Sequence, residues 1–232
     1  MIVNGINISG FGATQLSVEI QNYKYKTEYY MSNKSLNPIK LKTTEALKSI
    51  KVDILFKGNN KNEVLENISK FMIMLKDKVI IKLDSYDNLF EGYLENDSIV
   101  KKKNSKKLKL KLEFRGYSVR GNVIEHMDKV TNKNINVLGT QETPAVVEIT
   151  PISDTIDIAV EGLSDDPIII KNLKANKTVI IDSELQKVTV DGVNKYSDTD
   201  MWDFPSLSPG QNNIRVSKNN CNIKIKYKPR WI

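Results

Sequence analysis

Residues 107–115 read Lys-Leu-Lys-Leu-Lys-Leu-Glu-Phe-Arg. In an extended chain Leu108, Leu110, Leu112 and Phe114 point one way, and Lys107, Lys109, Lys111 and Glu113 the other. A period of two puts one face on a core and the other in water, which a helix cannot do with this spacing. The period recurs at Ile50, Val52, Ile54 and Phe56, with Gly58-Asn59-Asn60 to stop the strand. It also appears at Leu16, Val18 and Ile20, then Tyr23 and Tyr25, with an irregularity expected near Asn22. Two further strands are expected at 79–83 and 89–94, around the turn-rich Asp84-Ser85-Tyr86-Asp87-Asn88. The opening Ile2-Val3-Asn4-Gly5-Ile6-Asn7-Ile8 predicts a short hairpin, because Asn-Gly accepts the positive φ of a tight turn.

One helix interrupts this pattern. Asn60 is placed to cap it and Glu63 stands three residues on, as in a capping box. Val64, Ile68, Phe71, Met72 and Leu75 share one helical face, so an amphipathic helix is predicted over about 61–77. Met72 and Met74 read as gap-fillers of a core rather than a sticky groove.

From 131 to 144 the text loses periodicity and is punctuated by Gly139 and Pro144, so the junction between two domains is expected there. A first domain over 1–130 and a second over 145–232 follow. After Pro144 every segment reads as strand: 145–151, 155–160, 168–173, 178–182, 187–190, 213–216 and 222–227. Turn signals at Ser153-Asp154, 164–167, Asp191-Gly192 and 208–210 separate them, the spacing of a β-sandwich. The fold class is therefore mainly β, with one helix in the first domain. Charge is split along the same line. Residues 1–130 hold 23 Lys and Arg against 15 Asp and Glu (+8), and 131–232 hold 12 against 13 (−1), which gives the net +7. The basic excess suits nucleic acid, an anionic surface or an acidic protein.

The chemistry-bearing residues are sparse. One Cys, Cys221, excludes an intramolecular disulfide, and one His, His126, excludes a two-His metal site within the chain. His126 lies beside Glu125 and Asp128, but there is no Gly-x-Ser-x-Gly elbow to complete a triad, and a surface or interdomain His is favoured. Cys221 reads as a small buried residue at the start of a strand. Asp165-Asp166 and Asp198-Thr199-Asp200 lack the ordered ligand series of an EF-hand loop and read as solvated turns. No phosphate-binding or dinucleotide-binding Gly-rich motif occurs. No catalytic residue, cofactor or metal site is expected. No apolar run reaches the roughly 20 residues of a membrane span, and the start lacks the pattern of a secretory signal peptide.

The densest charge feature is Lys101–Lys111, with Lys101, Lys102, Lys103, Lys106 and Lys107 in a hairpin loop and Lys109 and Lys111 on the polar side of a strand. It reads either as an anion-facing surface or as a solvated face that keeps a sheet soluble. No interleaved aromatics support nucleic-acid binding.

The end of the chain carries a resemblance. It runs Ile180-Ile181-Asp182, then Val188-Thr189-Val190-Asp191-Gly192, then Phe204-Pro205-Ser206-Leu207-Ser208-Pro209-Gly210-Gln211-Asn212-Asn213-Ile214, and closes on Tyr227-Lys228-Pro229-Arg230-Trp231. This resembles siphophage-type distal tail (Dit) proteins, most specifically at 204–214 and 227–231. In physical terms Pro209-Gly210 sets a tight turn, Asn212 can bond its backbone, and Tyr227, Arg230 and Trp231 give the closing strand an aromatic anchor and a cation. Phe204, Pro209, Gly210, Asn212, Tyr227, Arg230 and Trp231 are thus the motif residues.

The resemblance implies a structural, non-enzymatic protein of the virion tail, assembled in the host bacterial cytoplasm. It implies a homo-hexameric ring made by the N-terminal domains, with galectin-like or carbohydrate-module-like C-terminal sandwiches outside it. The ring would join the tail tube protein to a tail-associated lysin or fibre protein, among other baseplate proteins. The basic hairpin would face the lumen or a neighbouring ring. A reading from another class is a module that binds a cell-surface glycan through Trp202, Trp231, Tyr196 and Tyr227. The lack of an insertion between 145 and 232 speaks against direct glycan binding. A glycan hydrolase ranks third.

Overall fold

The computed structural model describes residues 1–21, 25–34, 36–45, 47–84, 86–101 and 106–231. The chain divides into two units, Met1–Val119 and Arg120–Trp231.

In the first unit the strands are Ile2–Val3 (β1), Ile6–Asn7 (β2), Ala13–Ile20 (β3), Tyr25–Tyr30 (β4), Ile39–Glu45 (β5) and Lys48–Lys57 (β6). Helix Lys61–Ile73 (α1) follows, then Val79–Lys82 (β7), Leu89–Lys101 (β8) and Lys107–Val119 (β9). An antiparallel sheet runs β2-β1-β7-β8-β9-β6-β3, while β4 and β5 form a separate two-stranded sheet. The period-two signals lie side by side in register: Ile50↔Phe114, Val52↔Leu112, Ile54↔Leu110 and Phe56↔Leu108. All eight side chains are buried, together with Val64, Ile68 and Phe71 of α1. Each such side chain contributes roughly 1.5–3 kcal/mol on burial, so this sheet-on-helix contact is the main source of the unit's stability. Asn4 and Gly5 both have positive φ, 49° and 81°, the geometry of the tight turn expected between β1 and β2.

Helix α1 begins where its caps predict. The Asn60 side chain accepts from the Glu63 N–H at 3.0 Å, and the Glu63 carboxylate accepts from the Asn59 N–H at 2.7 Å. It ends a turn before the expected 77. The N–H groups of Met74, Leu75 and Lys76 bond three residues back, to Phe71, Met72 and Ile73. This tightens the last turn, yet Leu75 still reaches the core at 2% exposure, so the apolar pattern outlasts the helix.

The second unit holds Val123–Asp128 (β10), Asn132–Val137 (β11), Thr143–Pro151 (β12), Thr155–Glu161 (β13), Ile168–Leu173 (β14), Val179–Asp182 (β15) and Lys187–Val190 (β16). Val193–Asn194 (β17), Thr199–Asp200 (β18), Ser206–Leu207 (β19), Gly210–Val216 (β20), Cys221–Tyr227 (β21) and Arg230–Trp231 (β22) complete it. One sheet runs β10-β21-β12-β15-β16-β17 and another β11-β20-β13-β14-β18. Val147, Ile181 and Ile225 of the first and Ile158, Ile170 and Ile214 of the second enter one shared core. The chain is thus mainly β, as expected, and all seven strands expected after Pro144 form.

The expected junction is displaced. The division falls at 119/120, and 131–144 is no linker: β11 and the start of β12 occupy it. β10 pairs with β21 and β11 with β20, partners 73–104 residues away (Val137↔Gly210 to Val123↔Tyr227). Within β11 only Ile135 and Val137 are buried, and the outward positions are Asn132, Asn134 and Asn136. Asn is a poor strand former, so the alternation is faint in sequence. The first unit departs in two further ways. β4 was not expected, and β8 and β9 run on to Lys101 and Val119. The irregularity expected near Asn22 lies outside the described residues; the bulge in β3 falls between Gln15 and Ser17.

Candidate assembly surfaces

No chemical centre emerges from the residues that could have made one. His126 sits exposed in β10 opposite Lys224, and its carbonyl accepts from Lys133 at 2.9 Å. Strand alternation turns Glu125 to the opposite face, where it pairs with Lys133 at 2.6 Å. Cys221 is buried, and desolvation pushes its thiol up. Asp198 is held by Lys195 at 2.6 Å and Asn172 at 3.1 Å, which lower its carboxyl. Among the described residues no group of three or more His, Cys, Asp and Glu side chains lies together.

The C-terminal motif residues do meet. Pro209-Gly210 forms a turn with Gly210 at φ 88°, a region only glycine enters freely. Asn212, 9% exposed, spans it: its side-chain oxygen accepts from the Ser208 N–H at 3.0 Å, and its NH₂ donates to the carbonyls of Ser208 at 2.8 Å and Gly210 at 3.1 Å. Phe204 packs against the unit's core and stacks on Tyr196, with ring centroids 6.2 Å apart. Tyr227 is buried in β21 between β10 and β12, and burial followed by the Glu125 charge raises its hydroxyl. The Arg230 carbonyl accepts from Thr140 at 2.9 Å and Gln141 at 3.3 Å. The cation over the Trp231 ring is Arg120, 4.7 Å from its centroid. Of the four aromatics considered for glycan stacking, Tyr227 is buried, Trp231 is covered by Arg120 and Tyr196 is stacked; Trp202, at 85% exposure, stands clear.

The basic segment is less uniform than its sequence. Lys102 and Lys103 lie outside the described residues. Lys106 and Lys107 are exposed. Lys109 pairs with Asp53 at 2.5 Å, and Lys111 stands across the strands from Asp53. Burial alone would raise the Asp53 carboxyl, but hydrogen bonds from Lys109 and Ser17 and the charges of Lys109 and Lys111 hold it below the usual carboxylate range. Beside them Glu19, Lys51, Asp53, Asn96, Asp97 and Glu113 line a shallow groove of about 400 Å³ on this polar face. Sequence reasoning missed the β4–β5 hairpin. Tyr25, Tyr29, Tyr30, Ile39 and Leu41 are all more than half exposed there, so neither face gives the half-buried alternation that marks a strand.

Residues 138–231 match the sequence profile of the family described as siphovirus-type tail component, C-terminal domain. The match lies within the second unit. The motifs at 204–214 and 227–231 lie inside the match, so the resemblance read from them is borne out. A likeness of fold extends beyond that match. The structure of SPP1 Dit, described as a paradigm of hub adsorption apparatus in Gram-positive infecting phages, aligns with a TM-score of 0.76 at 9% identity. That alignment covers 100% of this chain and 98% of SPP1 Dit. Chains of the phage P2 baseplate in its activated conformation align at TM-score 0.58. With calcium the identity is 12%, covering 95% of this chain and 92% of that one. With strontium it is 13%, covering 97% and 94%. No curated protein matches.

Proposed function

We propose that the chain is a structural distal tail protein, the baseplate hub of a phage or phage-tail-like particle. The first unit forms a homo-hexameric ring, and the second, a galectin-like sandwich, lies outside it. The ring joins the tail tube protein to a tail-associated lysin or receptor-binding apparatus, and the particle assembles in the host cytoplasm. What carries this reading is a fold likeness to a tail hub that runs through both units, including the first, which the family profile does not reach. The basic segment meets the tube or a neighbouring ring through Lys107 and Lys111, since Lys109 is bonded to Asp53. Reversing Lys107 and Lys111 to Glu is expected to impair joining, and unchanged assembly would remove that role.

The test of the ring is solution mass by light scattering, with negative-stain imaging. Six chains of 26.4 kDa give about 158 kDa and an annulus. A single chain at every concentration and salt refutes a self-assembling ring. Exposed Trp202 favours a second reading, glycan contact by the second unit. A glycan array on the full chain and its Trp202→Ala variant decides it, and no Trp202-dependent binding refutes it.

A further inference from the structure

The chain contains one Asn-Gly step, Asn4-Gly5, and it sits in the tight turn between β1 and β2. The Asn4 side chain works far from its own place in the sequence. Its carboxamide oxygen accepts from the Ile80 N–H of β7 at 2.8 Å, and its NH₂ donates to the Met74 carbonyl just past α1 at 3.3 Å. Its backbone N–H donates to the Ile80 carbonyl at 2.9 Å. One amide therefore buckles the turn to β7 and to the end of α1, where carbonyls lack intrahelical partners. Behind the buckle β1 lies between β2 and β7, with Val3 wholly buried.

Asn-Gly is also the pair that most readily loses ammonia, because glycine has no side chain to hinder attack by its nitrogen. Base takes the proton of the Gly5 N–H, and that nitrogen adds to Asn4 Cγ. The Cγ–Nδ2 bond breaks, and the leaving nitrogen departs as ammonia with a proton returned from the base. A succinimide ring remains, and water opens it. Breaking the bond from nitrogen to Cγ gives aspartate in an ordinary chain. Breaking the bond from nitrogen to the main-chain carbonyl carbon gives isoaspartate, whose backbone is one carbon longer. Base and water have access, since Asn4 and Gly5 are exposed. What the fold withholds is movement. For the ring to close, Cγ must swing onto the Gly5 nitrogen, and two hydrogen bonds hold its oxygen and nitrogen on Ile80 and Met74. The backbone is fixed as well, at φ 49° for Asn4 and 81° for Gly5.

We propose that Asn4 is a spontaneous deamidation site which the fold keeps closed, and which reacts when the β1–β2 turn parts from β7. The change is one-way. Aspartate keeps an acceptor for the Ile80 N–H but has no donor for the Met74 carbonyl, and it sets a charge beside that carbonyl. Isoaspartate also lengthens the main chain inside the turn, so β1 loses its register on β7. A first unit that stays open therefore cannot rebuild the buckle. The native chain reacts at the rate of the open chain multiplied by the fraction of time the turn is open.

The experiment follows isoaspartate in the full chain, in mildly alkaline buffer, with an isoaspartate-specific methyltransferase and peptide mapping. Chains unfolded in urea are expected to form it at Asn4, and native chains at least about tenfold more slowly. Val3→Ala loosens β1 from the core without touching the amide. It is expected to raise the native rate and leave the unfolded rate unchanged. Urea below the unfolding midpoint should speed the parent chain in the same way, which keeps the test open if the variant does not fold. No isoaspartate at Asn4 in unfolded chains overturns the site. Equal rates in native and unfolded parent chains overturn the protection, and so does a native rate that neither Val3→Ala nor urea below the midpoint raises.

Discussion

Asn212 tests whether the C-terminal motif is a structural clasp. Its side chain makes one hydrogen bond as acceptor and two as donor across the 208–210 turn, at 2.8–3.1 Å and 9% exposure. At roughly 0.5–1.5 kcal/mol net per bond, Asn212→Ala removes about 1.5–4.5 kcal/mol. Ser208 is exposed, so water replaces part of this, and the expected cost is about 2 kcal/mol. Asn212→Asp keeps the bond from the Ser208 N–H but loses both donors and sets a charge beside two carbonyls, so it should cost at least as much as alanine. Both tryptophans, Trp202 and Trp231, belong to the second unit, so tryptophan fluorescence follows its unfolding. With a urea dependence near 2 kcal/mol per molar, the fluorescence midpoint should drop by about 1 M. The thermal midpoint of a unit this size should fall by about 8 °C. If both variants melt within about 0.5 kcal/mol of the parent chain, the clasp contributes nothing and the reasoning is wrong.

Gly116 faces Gly92 across β8 and β9, and a Cβ there would stand 1.9 Å from the Glu91 carbonyl oxygen. Because the obstacle is backbone, Gly116→Ala should cost about 3 kcal/mol or more, read from the urea midpoint by far-ultraviolet circular dichroism. Asp53, held low by its lysines, stabilises the fold above the unfolded carboxyl value near 3.9, and that contribution disappears as pH falls through its lower folded value. With both partners about a quarter exposed, Asp53→Asn should cost about 1 kcal/mol or less at pH 7 and close to nothing in strong acid, read from urea midpoints at each pH. The Cys221 thiol, buried and pushed up by desolvation, should react with a thiol reagent only as fast as the second unit opens; rapid reaction in the native chain would contradict its burial.

What the sequence determined by itself was everything that depends on local period and local turn chemistry. Leu108 to Phe114 and Ile50 to Phe56 declare a sheet because alternate side chains must choose between core and water. Asn60 and Glu63 start the helix because orphan N–H groups need acceptors nearby. Asn4-Gly5 and Pro209-Gly210 announce their turns for a backbone reason that no distant contact alters. The motif at 204–214 and 227–231 was legible too, because its bonds are short in sequence, as Asn212 shows. Tertiary structure decided what pairs with what. β10 and β11 belong to the second unit because strands near the end of the chain complete their ladders, and no period in 123–137 encodes a partner 73–104 residues on. It decided that Lys109 is neutralised by Asp53 whereas Lys107 is not, since register sets which charges face one another. It also decided the fate of β4 and β5. Their residues are strand formers, but Tyr29, Tyr30, Ile39 and Leu41 all stay more than half exposed, so no alternation between core and water marks them in the sequence.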